Sequence, residues 1–357
     1  EPYRRQRQMC IRDRAYDNAK EFFDTGITWS NSLNVAQMLE KSSYSISLGN
    51  THQDGIISST GMDRYNVKVS ADTKLTNNWS SGFTANYITT SIDKAVTSGN
   101  GLLRTVYAAP PSYDLAGIPS HVDGNQYTQN SFRGSFDNAY WAMENNKFTE
   151  DTNRFFGNVY ASYQTDFGTT NHKLNAKYMV GVDAYTTHYV DSYGYGSNTG
   201  GGRGQIENYG WTNATYNSLL TINYDWHINE DWGLNAVVGN EIIQSNRKKY
   251  YEYGTNYNFP GWNHINNATT QQTEEETWKN RTVGFFGNVS ASYRNMLYLT
   301  LTGRQDYVSN MPRKNRSFFY PSISAGFILT ELDALKNNVV NHCLLYTSPS
   351  PRDSTSS

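Results

Sequence analysis

Apolar side chains recur at every second position through most of this 357-residue chain. That period admits one kind of local structure. Tyr44, Ile46 and Leu48 alternate with Ser45 and Ser47, and Tyr65, Val67, Val69 and Ala71 alternate with Asn66, Lys68 and Ser70. Phe83, Ala85 and Tyr87 follow the same rule, as do Val159, Ala161 and Tyr163, then Leu174, Ala176, Tyr178, Val180 and Val182. Leu220, Ile222, Tyr224 and Trp226 continue it, followed by Leu234, Ala236 and Val238, then Val289, Ala291 and Tyr293. Leu297, Leu299 and Leu301, and finally Ile323, Ala325, Phe327 and Leu329, complete the series. Successive side chains of a strand point to opposite faces, so each stretch reads as a strand with one apolar face. The pattern predicts about eleven strands, many of them reaching the ~9–11 residues that a tilted strand needs to cross a bilayer.

The connections sharpen this reading. Tight turns are predicted at Gln37–Lys41, Thr76–Asn78, Asp166–Thr170, His227–Asp231 and Arg294–Met296. Between them fall long links at Thr51–Asp63, Ile88–Thr152, Thr187–Trp211, Ser245–Arg281 and Tyr307–Ser317. Short and long alternate throughout, as they do in a transmembrane barrel with short turns on one side and long loops on the other. A soluble sandwich has no reason to keep that asymmetry, and long structureless links count against a compact soluble domain. Trp226 and Trp232 flank one short turn, Trp79 follows another and Phe167 sits in a third, as expected of an interfacial aromatic girdle. Ser192–Gly204, with its glycine run, reads as the most flexible loop.

Composition agrees. The chain has 28 Tyr, 8 Trp and 28 Gly, with a mean hydropathy of −0.70. No apolar run approaches the ~20 residues of a membrane helix. A barrel hides its membrane signal because only alternate residues face lipid.

The two ends follow no such pattern. Met9–Arg14 can be written ATG TGT ATA AGA GAC AGN, and the reverse complement of that string encodes Cys-Leu-Leu-Tyr-Thr, the sequence that opens Cys343–Ser348. One DNA string read in both directions thus accounts for both ends, as in a translated sequencing adapter. Residues 1–14 and 343–357 are therefore set aside, and 15–342 is taken as the natural stretch, the first half of a barrel. Both cysteines, Cys10 and Cys343, leave with the ends, and thiol chemistry with them. Arg4, Arg5, Arg7, Arg12, Arg14 and Arg352 go too, as do Glu1, Asp13 and Asp353, taking the formal charge from −2 to −5. An acidic balance disfavours a nucleic-acid partner.

Two stretches carry a family resemblance. In Gly49–Asp72, Gln53, Gly55 and Ile56 precede Arg64, Tyr65 and Asn66; in Tyr298–Phe327, Arg304 and Asp306 precede Tyr320, Pro321, Ser322, Ser324 and Gly326. The first is similar to the early barrel of the SusC/RagA family of TonB-dependent outer-membrane receptors. The second resembles that family's R-x-D strand end and its aromatic-Pro-Ser-x-Ser-x-Gly strand. Tyr307–Asn315 departs from it, lacking the usual Ser-Ser-Arg-Phe stretch. The resemblance implies an all-β fold: a partial transmembrane antiparallel β-barrel, about eleven strands of a 22-stranded one, without its plug domain. It implies active import, with a surface lipoprotein of SusD type as lid, the TonB complex acting through the plug, and localisation in the outer membrane of a Gram-negative cell. A half-barrel alone leaves unpaired edges, so this stretch is expected not to insert by itself.

No catalytic, metal or cofactor site is expected. His52, His121, His172, His188, His227, His264 and His342 are dispersed and read as polar loop or turn residues without ligand spacing. The acidic run Glu274–Glu276 reads as a solvated loop, and no nucleophile is paired with a base. Ligand contact is expected instead from loop aromatics: Trp141, Tyr193, Tyr195, Trp211, Tyr251, Tyr253, Tyr257 and Trp262. Aromatic faces pack against the C–H faces of sugars, so an oligosaccharide is the expected cargo. A peptide importer of the same family and a soluble or surface glycan-binding β-module are the alternatives.

Overall fold

The computed structural model describes residues 15–96 and 101–328. Both adapter-like ends, His342 and the end of the last predicted strand at Leu329 lie outside the described residues.

Eleven strands form one antiparallel sheet. They are β1 (Thr28–Met38), β2 (Ser42–Asp54), β3 (Gly61–Lys74), β4 (Trp79–Lys94), β7 (Lys147–Thr165), β8 (His172–Tyr193), β9 (Gln205–His227), β10 (Trp232–Tyr257), β11 (Ala268–Tyr293), β12 (Leu297–Val308) and β13 (Ser317–Phe327). Each pairs with its neighbour in chain order, and a separate hairpin of β5 (His121–Val122) and β6 (Asn125–Gln129) stands between β4 and β7. The meander follows from the period-two pattern: each strand buries nothing unless its neighbours repeat its facing, and an in-register antiparallel neighbour does so.

The chain divides into two compact units. One holds the residues through Ala161 together with Tyr178–Ser218 and Ile242–Thr282; the other holds Ser162–Lys177, Leu219–Glu241 and the residues from Val283 onward. In the first unit the register lines up apolar rungs. Val35 lies opposite Ile46, Ile46 opposite Val69 and Val69 opposite Ala85. Leu33, Leu48, Val67 and Tyr87 form the next rung. The other face is polar: the Ser45 and Ser70 hydroxyls lie 2.8 Å apart, and the Tyr160 hydroxyl donates to Asp72 at 2.6 Å. The apolar face is the bare one, with Ile46 47% exposed and Tyr65 53% exposed. Water would not tolerate so extended an apolar surface, which marks it as a lipid-contacting face. Among the described residues no helix is long and apolar enough to cross a membrane.

The second unit repeats the arrangement. Leu299 opposes Ala325 and Leu301 opposes Ile323 on the bare face. On the polar face the R-x-D motif explains itself: Arg304 donates to Asp306 at 2.8 Å and to Glu241 of β10 at 2.9 Å. Short turns close this unit. Arg294 and Asn295 both take positive φ, the geometry of a tight two-residue hairpin turn. The Asn229 side chain accepts from the backbone N–H of Asp231 and of Trp232. Trp232 packs on Tyr293 with ring centres 4.7 Å apart, and His172 stacks on Tyr224 and Trp226, which makes a ring cluster beside the short turns.

The long links are shorter than the sequence reading holds. β7 to β11 run from 19 to 26 residues. The predicted link Ser245–Arg281 is mostly the continuation of β10 and β11, and the Glu274–Glu276 run lies on β11, where Glu275 and Glu276 pair with Lys248 and Lys249. The apolar alternation stops where lipid stops, but the backbone ladder continues in polar residues. His52, His172, His188 and His227 likewise lie on strands of the sheet, and His121 on the separate β5–β6 hairpin, instead of in loops. The largest correction is the link between β4 and β7. It folds around three short helices, α1 (Asn18–Phe22) from before the sheet, α2 (Leu102–Ala108) and α3 (Ala139–Asn145), which share an apolar core with Phe22, Leu102, Val106, Leu115 and Trp141.

A lipid-facing strand face makes a directional prediction. In the intact receptor folded into bilayers, Val69→Arg is expected to lose up to about 2–4 kcal/mol in a urea titration, whereas Ser70→Arg, on the polar face, loses far less.

Candidate functional site

The polar face of β8, β9, β10 and β11, above the end of their apolar alternation, carries a run of side chains two residues apart. Tyr189, Asp191 and Tyr193 come from β8, Glu207, Tyr209 and Trp211 from β9, Arg247 and Tyr251 from β10, and Trp278 from β11. All of them lie in the first unit. Alternation in a strand places each set on one face.

The rings make a continuous pavement. Tyr189 and Tyr209 stack face to face, with centroids 4.8 Å apart and an interplanar angle of 6°. Trp211 meets both edge-on, at 5.6 Å from Tyr189 and 6.2 Å from Tyr209. Tyr251 adjoins Tyr209 at 6.4 Å. Charges frame the pavement. The Lys94 ammonium sits 4.6 Å from the centre of the Tyr189 ring and pairs with Glu150. The Tyr209 hydroxyl donates to Asp191 at 3.0 Å. Burial pushes the Asp191 carboxyl above the usual carboxylate range, opposed by the Tyr209 hydrogen bond and by Lys94. Burial also raises the Tyr209 hydroxyl, with the Asp191 charge adding to it. The Arg247 guanidinium lies over two indoles, 5.3 Å from the Trp211 centroid and 5.6 Å from that of Trp278.

The residues singled out from sequence divide into three groups. Trp211 and Tyr251 belong to the pavement, and Tyr253 follows Tyr251 on the same face of β10. Tyr193 is half-buried and meets Phe148 edge-on at 5.2 Å. In the second group Trp141 and Tyr257 are completely buried, which corrects their reading as ligand contacts, and Tyr195 beside them is partly buried. Trp141 is completely buried at the centre of the helical insertion and donates its indole N–H to the Gln126 carbonyl at 2.9 Å. Tyr257 is completely buried with Ile206 and Ala268, and Tyr195 packs against that cluster. Gly204, at φ +75°, admits the Tyr257 ring: an added Cβ would lie 2.4 Å from it. Large aromatics in loop sequences suit either role, and here folded loops enclosed them.

Trp262 stands apart. It is 44% exposed at the β10–β11 tip and stacks on Phe259 and His264. The completely buried Asn267 side chain holds this tip by donating to the Phe259 and Trp262 carbonyls at 2.7 and 2.8 Å. The glycine-rich segment read as flexible is pinned as well. Ser197 is fully buried, its hydroxyl donates to Asp137 at 2.6 Å, and the Asn198 N–H donates to the same carboxylate at 2.7 Å. The sequence reading missed Tyr189, Tyr209, Arg247 and Trp278. Their signal was the two-residue spacing itself, continued beyond the apolar stretch.

Among the described residues no cluster of His, Cys, Asp and Glu could hold a metal ion.

Tyr257 generates a test. Its hydroxyl is buried without a partner among the described residues. Tyr257→Phe is therefore expected to leave the melting temperature of the intact receptor unchanged or raised, because a buried unpaired hydroxyl opposes folding. Tyr257→Ala is expected to cost about 3–5 kcal/mol, in line with other truncations of large buried aromatics.

Comparison with known proteins places this geometry. No family model matches the chain. TonB-dependent receptor P26 of Formosa agariphila is 26% identical over 325 residues, covering 84% of this chain and 30% of that protein. TonB-dependent receptor SusC of Bacteroides thetaiotaomicron is 23% identical over 341 residues, covering 89% of this chain and 32% of that protein. Among solved structures, the RagAB peptide importer in its closed-closed state superposes with a TM-score of 0.74 at 16% identity, over 91% of this chain and 36% of that one. The chain thus spans about a third of the length of the curated relatives it matches. These relatives are receptors and importers, not enzymes. In its strand faces and its likeness to these proteins, this chain is similar to a β-barrel stretch of the SusC/RagA-like TonB-dependent receptors of the outer membrane.

Proposed function

We propose that the intact protein imports oligosaccharides across the outer membrane, driven by the TonB complex acting through a plug domain and covered by a surface lipoprotein of SusD type. Residues 15–342 supply a barrel stretch in this reading, and residues 1–14 and 343–357 are translated adapter sequence that takes no part in it.

The observation that carries the reading is the pavement of Tyr189, Tyr209, Trp211 and Tyr251 on the polar face. A sugar ring has one face of C–H groups and a rim of hydroxyls. Fixed aromatic faces match the first, and Asp191 and Glu207 supply acceptors for the second. The rings are held by one another and by strand backbones, so little side-chain freedom is lost when a ligand stacks. The bare apolar face of the sheet disfavours a soluble glycan-binding module.

Peptide import is the second reading, favoured by the structural likeness to RagAB, which is a peptide importer. Aromatic and acidic side chains bind peptides as well, so calorimetry on the purified intact receptor must compare the two classes. Oligosaccharides are expected to bind, and the Trp211→Ala/Tyr251→Ala double variant to weaken them at least about tenfold without loss of the folded barrel. Binding of peptides alone, or saccharide binding indifferent to both substitutions, would contradict the proposal.

A further inference from the structure

Arg247 is the one charged side chain of the pavement whose position is fixed by rings alone. Its guanidinium lies over Trp211 of β9 on one side and Trp278 of β11 on the other. Among the described residues it makes no hydrogen bond or ion pair. Its neighbours are matched differently: Lys248 pairs with Glu275 at 2.7 Å, Lys249 with Glu276 at 3.8 Å and Lys94 with Glu150. On this face Lys249 and Lys94 are thus already spoken for by carboxylates, while the guanidinium keeps its donor edge open.

Cation–π contact with two indoles orients a guanidinium without using its N–H groups. All five donors of the fork remain directed outward in the guanidinium plane. A planar fork with open donors is the complement of a carboxylate, which it meets through two parallel hydrogen bonds. The flanking indoles and the Tyr189–Tyr209 stack offer ring faces next to that fork. A ligand that uses both would carry a carboxylate on a ring with an apolar C–H face.

We infer that Arg247, held between Trp211 and Trp278, is a carboxylate-recognition point that selects acidic saccharides, those containing uronic acid units, over neutral ones. The inference rests on the saccharide reading above and narrows it. Glu274 and Glu276 on β11 would otherwise repel an anion, and the Lys249–Glu276 pair offsets one of these charges beside the guanidinium.

The test uses the intact receptor and four probes in calorimetric titration: tetragalacturonate, its fully methyl-esterified form, and one tetrapeptide as free acid and as C-terminal amide. The ester keeps the sugar rings and removes the charge. Tetragalacturonate is expected to bind at least about tenfold more tightly than the ester, the increment of a charge-assisted hydrogen bond. Arg247→Ala is expected to erase that difference, so that acid and ester bind the variant equally. Arg247→Lys, which keeps the charge without the fork, is expected to restore only part of it. Unchanged heat-modifiable migration of both variants on gels confirms a folded barrel. Equal binding of acid and ester to the wild type would overturn the inference while leaving saccharide import standing. Binding of the tetrapeptide acid alone, dependent on Arg247, would overturn the inference and the saccharide reading together.

Discussion

A backbone amide in hydrocarbon has no water to bond, and each unpaired N–H or C=O there costs several kcal/mol. The antiparallel ladder is this chain's answer, and the rest of its design follows. For the strands between β1 and β13, each paired on both sides, only the side chains remain to meet two different surroundings. The two-residue period divides them, so that the rung of Val35, Ile46, Val69 and Ala85 meets lipid while Ser45 and Ser70 bond one another on the opposite face. In the second unit the same division puts Leu299 and Leu301 on one face and the Arg304–Asp306–Glu241 cluster on the other.

The ladder does not end where the apolar rungs do. β10 and β11 each continue to 26 residues, and their polar extensions carry the side chains with chemical reach. A strand is a stiffer support than a loop, so Tyr189, Tyr209, Trp211 and Tyr251 are spaced by the pleat. Around them the connecting segments fold instead of trailing. Asn138 caps α3 by accepting from the N–H groups of Tyr140 and Trp141, and Trp141 anchors the insertion's core. Asp137 accepts from Gln129, Ser197 and Asn198, which ties the insertion to the β8–β9 connection. Order in these segments comes from buried side-chain hydrogen bonds, since they have little regular backbone pairing of their own.

Sequence alone conveyed the sheet well, because alternation of apolar residues is a direct image of a face that meets lipid. It placed the short turns within a residue or two, since Asn229, Gly168 and Asn295 announce themselves by the conformations they accept. Strand ends were misplaced for a matching reason: a polar strand extension such as Thr269–Glu276 has no apolar face to betray it. The helical insertion was hidden too, because α2 and α3 are only seven residues each and their core closes through distant partners such as Phe22 and Leu115. Site residues were half legible. Aromatic enrichment pointed to Trp211 and Tyr251, but it equally pointed to Trp141 and Tyr257, and only three-dimensional burial separates a half-buried ring from an enclosed one.

The central claim, that alternate residues of these strands divide between lipid and the polar interior of a barrel, is tested most directly by scanning β3. Both cysteines of the sequence lie outside 15–342, so single cysteines introduced from Tyr65 to Ala71 in an intact receptor free of other cysteines report without interference. In reconstituted bilayers, a membrane-impermeant maleimide should label positions 66, 68 and 70 and spare positions 65, 67, 69 and 71, with the pattern lost on unfolding in detergent and urea. Uniform labelling of all seven positions in the bilayer would contradict the account.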